Sequence, residues 1–267
     1  MTATLYLPDE EATGELAEDI AARLKPGDVV ALEGDLGVGK TSFARGLLRA
    51  LADDPALEVP SPTFTLVQPY RLRFPVAHFD LYRIGSADEL DELGFEEAIA
   101  EGAVLVEWPE RAGHRIPEDA LHVTLAIEDG GRRASLMGGA SWRGRLSRSL
   151  QVRAFLDRSD FAHAVRRHLL GDASARLYER IRAPDGRKAV LMDAPLREHG
   201  PPIRNGRSYD SLAGRAMDVR PFVAMTEGLR AAGFSAPEIL AGDLEAGLLL
   251  LEDLGSVGML HPDGAPD

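Results

Sequence analysis

Cysteine is absent from the chain, so neither a disulfide framework nor a thiolate metal site can belong to its chemistry, and zinc-ribbon and thioredoxin-like functions are excluded. Only His, Asp and Glu remain as side-chain metal ligands of the usual kind. No apolar run approaches the ~20 residues needed to cross a bilayer, and residues 1–5 lack the charged-then-apolar layout of a signal peptide. The reading that follows is a cytoplasmic protein with no membrane contact. Cations are also scarce where acids are plentiful: residues 1–148 carry 26 Asp and Glu against 15 Lys and Arg, residues 149–267 carry 17 against 15, and the formal net charge is −13. Gripping a nucleic-acid backbone needs clustered cations, so the first half is a poor direct ligand for DNA or RNA. Asn-Lys-x-Asp, the guanine-reading signature of GTPases, does not occur, and no internal repeat is visible.

With 267 residues, of which 45% are hydrophobic, the chain can build a core in each of two domains. Residues 4–7 read as a strand. A helix then opens at Asp9, a credible N-cap followed by two acids, and repeats Leu16, Ile20 and Leu24 on one face. Residues 29–32 form an apolar run suited to a strand covered on both faces, and residues 41–51 place Phe43, Leu47, Leu48 and Leu51 at helical spacing. Further along come a proline-interrupted loop and edge strand (59–70), strands at 76–81 and 104–108, a helix at 87–100, and a hairpin turning at Asp129-Gly130-Gly131. Interleaved helices and apolar strands predict a three-layer α/β domain with a mostly parallel, mixed sheet over residues 1–148. Residues 138–150, rich in Gly, Ser and Arg, read as a linker. Beyond it the pattern predicts a helix over 151–170, two strands pairing around Pro184-Asp185-Gly186, an irregular mobile loop over 195–211, a helix over 221–232 and a strand over 247–254.

Between the first apolar strand and its helix stands Gly34-Asp35-Leu36-Gly37-Val38-Gly39-Lys40-Thr41, a full Walker A pattern in the strand, loop, helix order that the motif requires. Glycines allow successive main-chain amides to turn inward around a phosphate, Lys40 reaches the β/γ oxygens, Thr41 offers a hydroxyl to Mg²⁺, and the helix start adds its positive end. Phosphoryl transfer is mostly positioning and charge neutralisation, so acids are also needed at strand ends. Asp80 and Glu107 stand there, both at the C-terminal edge of the sheet beside the loop. Trp108, next to Glu107, can stack on adenine or pack as a lid. The cofactors expected are ATP and Mg²⁺.

Five ordered stretches resemble the TsaE (YjeE) family: Pro8-Asp9-Glu10-Glu11-Ala12-Thr13, the Walker A loop, Ser61-Pro62-Thr63-Phe64-Thr65-Leu66-Val67, His78-Phe79-Asp80-Leu81-Tyr82-Arg83 and Val106-Glu107-Trp108-Pro109. The resemblance spans residues 1 to about 137 and implies a P-loop ATPase fold. It implies an ATPase subunit of the machinery that makes N6-threonylcarbamoyladenosine (t6A) at position 37 of tRNAs reading ANN codons. Such a subunit acts on a TsaD–TsaB heterodimer and meets tRNA only through those partners. Carried onto this sequence, it makes Gly34, Gly37, Val38, Gly39, Lys40, Thr41 and Ser42 the phosphate site. Thr41 and Glu107 become metal ligands, Asp80 an aid to hydrolysis, and Thr13 and Trp108 borders of the nucleoside. Residues 61–65 resemble the family's switch-like loop. Two alternatives from other classes are a P-loop small-molecule kinase, which would need an Arg-rich lid that residues 87–100 do not offer, and a binding module that holds nucleotide without turnover.

Residues 149–267 resemble an α+β fragment, the N-terminal lobe of aminoglycoside phosphotransferase-like kinases of the amino-sugar kinase type. The matching pieces are Gly171-Asp172-Ala173-Ser174, Ala189-Val190-Leu191-Met192-Asp193-Ala194-Pro195 and Leu248-Leu249-Leu250-Leu251-Glu252-Asp253-Leu254-Gly255. The resemblance implies an ATP-covering loop over 171–175 and a hinge at 252–254. Met192 stands where many such enzymes carry a phosphate-pairing Lys, with Lys188 four residues earlier. His261-Pro262-Asp263 mimics a catalytic His-x-Asp without a following Asn, and the sequence runs only 13 residues past Leu254. The expectation is a chain without sugar phosphotransferase activity, the bifunctional ATPase and phosphotransferase being the alternative.

Overall fold

Three apolar runs buried on both faces, at residues 29–32, 76–80 and 103–107, and one alternating strand at 121–128 assemble the centre of the first sheet. The computed structural model describes residues 2–169, 176–197 and 200–255. They divide into two compact units: Met1–Leu156 with Val165–Arg167, and the rest. The first unit is built from β1 (Thr2–Leu7), α1 (Glu10–Ala21), β2 (Val29–Glu33), α2 (Lys40–Ala52), β3 (Val67–Arg71), β4 (Pro75–Asp80), α3 (Glu89–Glu92), α4 (Phe95–Glu101), β5 (Ala103–Glu107), β6 (Leu121–Glu128), β7 (Gly131–Gly138) and α5 (Ala140–Arg158). Its seven strands run in the order β1-β7-β6-β2-β5-β4-β3. The inner strands β6, β2, β5 and β4 are mutually parallel, while β1, β7 and β3 join antiparallel at the flanks.

Strand periodicity sorts the side chains into two layers. Val30, Leu32, Leu105, Leu121 and Val123 face the side where Ile20, Phe43, Leu47 and Trp142 pack. Val29, Ala31, Phe79, Val104 and Val106 face the side closed by Leu90 and Phe95. This is the expected three-layer α/β arrangement with a mixed sheet. Asp9 caps α1, its carboxylate accepting from the Ala12 amide at 2.8 Å. The β6–β7 hairpin turns through Asp129 and Gly130, both at positive φ.

Three stretches before residue 170 differ from the sequence reading. The helix expected over 87–100 is two short helices, because Gly94 adopts a φ of 70° between them and lets Leu90 and Phe95 both enter the core. The linker expected over 138–150 is the first part of α5, so the division expected after residue 148 falls inside a helix. Trp142, Leu146, Ser149, Arg153 and Leu156 recur on one buried stripe, and the polar members of that stripe are satisfied by α1. Ser149 donates to the Asp19 carbonyl at 2.6 Å, and Arg153 and Arg166 both donate to the Asp19 carboxylate, at 2.9 and 2.7 Å. The helix expected to run to residue 170 ends at Arg158, and β8 (Val165–Leu169) follows.

The second sheet has the order β13-β14-β10-β9-β8, adding β9 (Leu177–Arg182), β10 (Lys188–Asp193), β13 (Ile239–Asp243) and β14 (Leu248–Glu252). As expected, β9 and β10 pair antiparallel across the turn at 184–186. Where an irregular loop was expected over 195–211, β11 (Pro202–Arg204) and β12 (Arg207–Ser208) form a small hairpin whose turn is Asn205-Gly206, followed by α6 (Tyr209–Leu212). The longer α7 (Arg220–Ala231) ends before Gly233 as read, and β13 was not foreseen. The candidate pieces at 171–174 and 261–263 lie outside the described residues.

Candidate functional site

The loop between β2 and α2 sits at the C-terminal edge of the parallel strands, and its shape depends on two glycines in particular. Gly34 has a φ of 126°, and a Cβ there would fall 2.2 Å from the Leu125 carbonyl oxygen, so no side chain fits. Gly39, at a φ of 113°, is the residue before α2 and lies directly against the Arg132 guanidinium. The chain therefore enters α2 with the first helical amides turned toward the loop, the geometry that favours an anion.

Lys40 is 5% exposed and folds back over the loop, its ammonium donating to the carbonyls of Gly34 at 2.6 Å and Asp35 at 2.9 Å. The Trp108 indole covers it from the other side, 3.6 Å from Nζ to the ring centroid, and Tyr82 backs that ring at 5.0 Å. Burial pushes the Lys40 ammonium below its ordinary pKa, while Glu107, Glu110, Asp80 and Asp35 pull the other way. Trp108 holds this position from a left-handed backbone, φ 61°, fixed by its amide donating to the Leu32 carbonyl at 3.3 Å.

Register brings the two acids together. Asp80 on β4 pairs with Glu107 on β5, both are nearly fully buried, and period-two alternation places His78 on the same face. The Thr41 hydroxyl donates into the Glu107 carboxylate, 2.9 Å from one oxygen and 3.0 Å from the other. His78 Nε2 lies 2.9 Å from Glu107 Oε1, and His78 Nδ1 is buried without a hydrogen-bond partner. Asp80 accepts from Ser61 at 3.1 Å and Thr63 at 2.7 Å through one oxygen, and from the Tyr82 amide at 3.1 Å through the other. Leu36, Gly37, Gly39, Lys40, Thr41, Ser42, Ser61, Thr63, Asp80, Tyr82, Glu107 and Trp108 thus line one open cleft of about 310 Å³.

Most of the residues read as a site from the sequence converge here. Gly34 contributes through its carbonyl. Val38 is buried in the core and takes part through its backbone, whose carbonyl accepts from Arg132 Nε at 2.7 Å. Thr13 does not line the cleft: it is buried in the first turn of α1, its hydroxyl donating back to the Asp9 carbonyl at 3.0 Å. His78, Tyr82 and Arg132 were not foreseen as individual participants. For His78 the available signal was its place two residues before Asp80 on a strand.

A chemical reading follows from the donor set. Main-chain amides at a helix start, a buried cation and a hydroxyl paired to a carboxylate are complementary to a polyphosphate with a hard divalent cation. Among the described residues no cluster of three His, Asp or Glu side chains exists that could cage a metal alone. The Thr41 and Glu107 oxygens instead suit Mg²⁺ held jointly by protein and phosphate.

Comparison with known proteins finds relatives of the first unit. The family model for "Threonylcarbamoyl adenosine biosynthesis protein TsaE" matches residues 7–134. A tRNA threonylcarbamoyladenosine biosynthesis protein TsaE from Rickettsia felis is 42% identical over 130 residues, covering 48% of this chain and 75% of the relative. One from Rickettsia bellii is 41% identical over 134 residues, covering 50% and 92%. A crystal structure of YdiB from Bacillus subtilis overlaps 58% of this chain and 97% of its own, at 29% identity and a TM-score of 0.49.

Proposed function

Because this chain belongs to the TsaE family of tRNA threonylcarbamoyladenosine biosynthesis proteins, we propose that its first unit binds and hydrolyses ATP with Mg²⁺ in support of t6A formation. The observation that carries the reading is the convergence of buried Lys40, the Thr41–Glu107 pair and Asp80 on the glycine-lined loop. In this proposal the loop amides and Lys40 bind the β- and γ-phosphates, and Thr41 with Glu107 holds Mg²⁺. The metal supplies charge neutralisation for the phosphate oxygens. His78 fixes the Glu107 carboxylate toward Thr41, while Asp80, released from Ser61 or Thr63, orients the attacking water. Trp108 borders the nucleotide and, with Tyr82, limits water around Lys40. Adenine is the base proposed, since no guanine-reading motif is present.

The partner proposed is a TsaD–TsaB-like heterodimer in the cytoplasm that carries the transfer chemistry and holds the tRNA. The excess of acids over residues 1–148 fits a subunit that leaves RNA, and equally DNA, to others. Among the described residues no helix is long and apolar enough to cross a membrane. For the second unit we propose a likeness to the N-terminal lobe of aminoglycoside phosphotransferase-like kinases, without phosphotransferase activity. In its support, the antiparallel sheet carries α7 between the strands β10 and β13. Met192 stands on β10 where many such enzymes carry a phosphate-pairing Lys, and its side chain is buried.

Reconstitution tests the main reading. The chain is combined with the heterodimer, tRNA, threonine, bicarbonate, ATP and Mg²⁺, and modified adenosine is counted alongside released phosphate. Multiple-turnover t6A formation should require this chain, and unchanged yield without it would refute the proposal. Phosphate transfer to a metabolite would favour a P-loop kinase, and tight binding without turnover a nucleotide-holding module.

A further inference from the structure

Arg132 occupies a position that the catalytic cleft does not explain. It stands at the start of β7, which is separated from β2 by β6, whereas Asp80 and Glu107 lie on β4 and β5 on the opposite side of β2. The guanidinium therefore approaches the phosphate loop from the flank away from both acids. Its Nε donates to the Val38 carbonyl at 2.7 Å, and the absent side chain of Gly39 makes room for it: a Cβ there would lie 3.0 Å from Nε and 3.6 Å from the terminal nitrogen Nη2. A larger residue than glycine would displace either the loop or the arginine.

The charge at this place is uncompensated. Lys40 is surrounded by carboxylates, and the buried Arg153 and Arg166 share Asp19. Arg132 forms no ion pair with a carboxylate among the described residues, and the one hydrogen bond of its guanidinium is to the neutral Val38 carbonyl. It stands beside the start of α2, where the helix dipole is itself positive. A pinned guanidinium has donors only, four of them without a protein partner among the described residues, and it is held where an anion would relieve the repulsion.

We propose that Arg132 binds the nucleotide through the phosphate next to the ribose, the group that ADP and ATP share. The inference rests on the nucleotide reading of the loop. If the γ-phosphate lies with Lys40, Thr41 and the two acids, a triphosphate crossing the loop brings its ribose-side phosphate to the opposite flank, where Arg132 is fixed. Arg132 is then a binding residue that also braces the loop through Val38, and it discriminates nucleotides from inorganic phosphate.

Calorimetric titration of the full chain with Mg·ADP and Mg·ATP tests this, using wild type, Arg132→Met and Arg132→Lys, with unfolding temperatures measured in the absence of nucleotide. Loss of a charge-assisted, two-pronged contact should weaken Arg132→Met for ADP and ATP alike, by about 10- to 100-fold. In turnover assays the defect should fall mainly on KM, with kcat changed far less. Arg132→Lys keeps the charge but puts a methylene where Nε holds the Val38 carbonyl and lacks the fork, and should lose about 10-fold for both; it decides the matter if Arg132→Met unfolds early. Unchanged ADP affinity, or a loss confined to ATP with a fall in kcat, would overturn the proposal. Wild type that binds neither nucleotide would instead overturn the nucleotide reading on which it rests.

Discussion

At the scale of single residues, the site works by keeping charges half-satisfied. Thr41 bridges both oxygens of Glu107, and His78 lies against one of them, so the carboxylate is fixed in place by protein contacts, ready for the proposed metal. Glu107→Ala should therefore cut Mg²⁺-dependent phosphate release by about 10²- to 10³-fold, and raising Mg²⁺ should restore little of it; full recovery at high Mg²⁺ would contradict the role. A different acid governs pH response. Glu33 is held below its ordinary pKa of 4.5 chiefly by its hydrogen bond to His122, with Thr124 adding to it against partial burial. Its stabilising effect is thus complete above that value and disappears as pH falls through the lower folded-state value. Melting temperatures taken from about pH 6 down to pH 3 should fall less steeply for Glu33→Gln than for wild type. The Walker A identities, Asp80 and Glu107 were legible because strand ends and glycine spacing are local properties. His78 and Arg132 were not, because their partners, Glu107 and Val38, are 29 and 94 residues away in sequence.

At the scale of elements, the apolar strands and the Asp9-capped helix follow from period and capping alone. The first part of helix α5, read as a linker, escaped the same treatment for a physical reason. Its buried stripe contains Ser149 and Arg153, which read as solvent-facing until Asp19 on α1 is seen to receive them. The break between α3 and α4 was hidden in the opposite way, since a helix-compatible run of Glu and Leu outweighed one glycine. Asp19 is the keystone of the α1–α5 contact. Asp19→Ala would leave Arg153 and Arg166 buried without their shared carboxylate, and should cost roughly 3–5 kcal/mol in denaturant unfolding of the first unit. Asp19→Asn should cost less, since the amide oxygen still accepts. Equal losses in the two variants would show that charge pairing is not what holds the helix.

At the scale of the whole molecule, residues 1–148 carry most of the acidic excess and contain the proposed phosphate site, while the second unit contributes a separate antiparallel sheet. That acidic excess fits the proposed role, in which a partner and not this chain holds the RNA. The claim on which the rest depends is that Lys40 faces a triphosphate. Phosphate release from Mg·ATP, measured for wild type and Lys40→Ala side by side with and without the partner heterodimer, tests it most directly. The expected result is partner-stimulated hydrolysis by wild type and a loss of about 10³-fold or more in the variant, whereas equal rates for the two proteins would contradict the account.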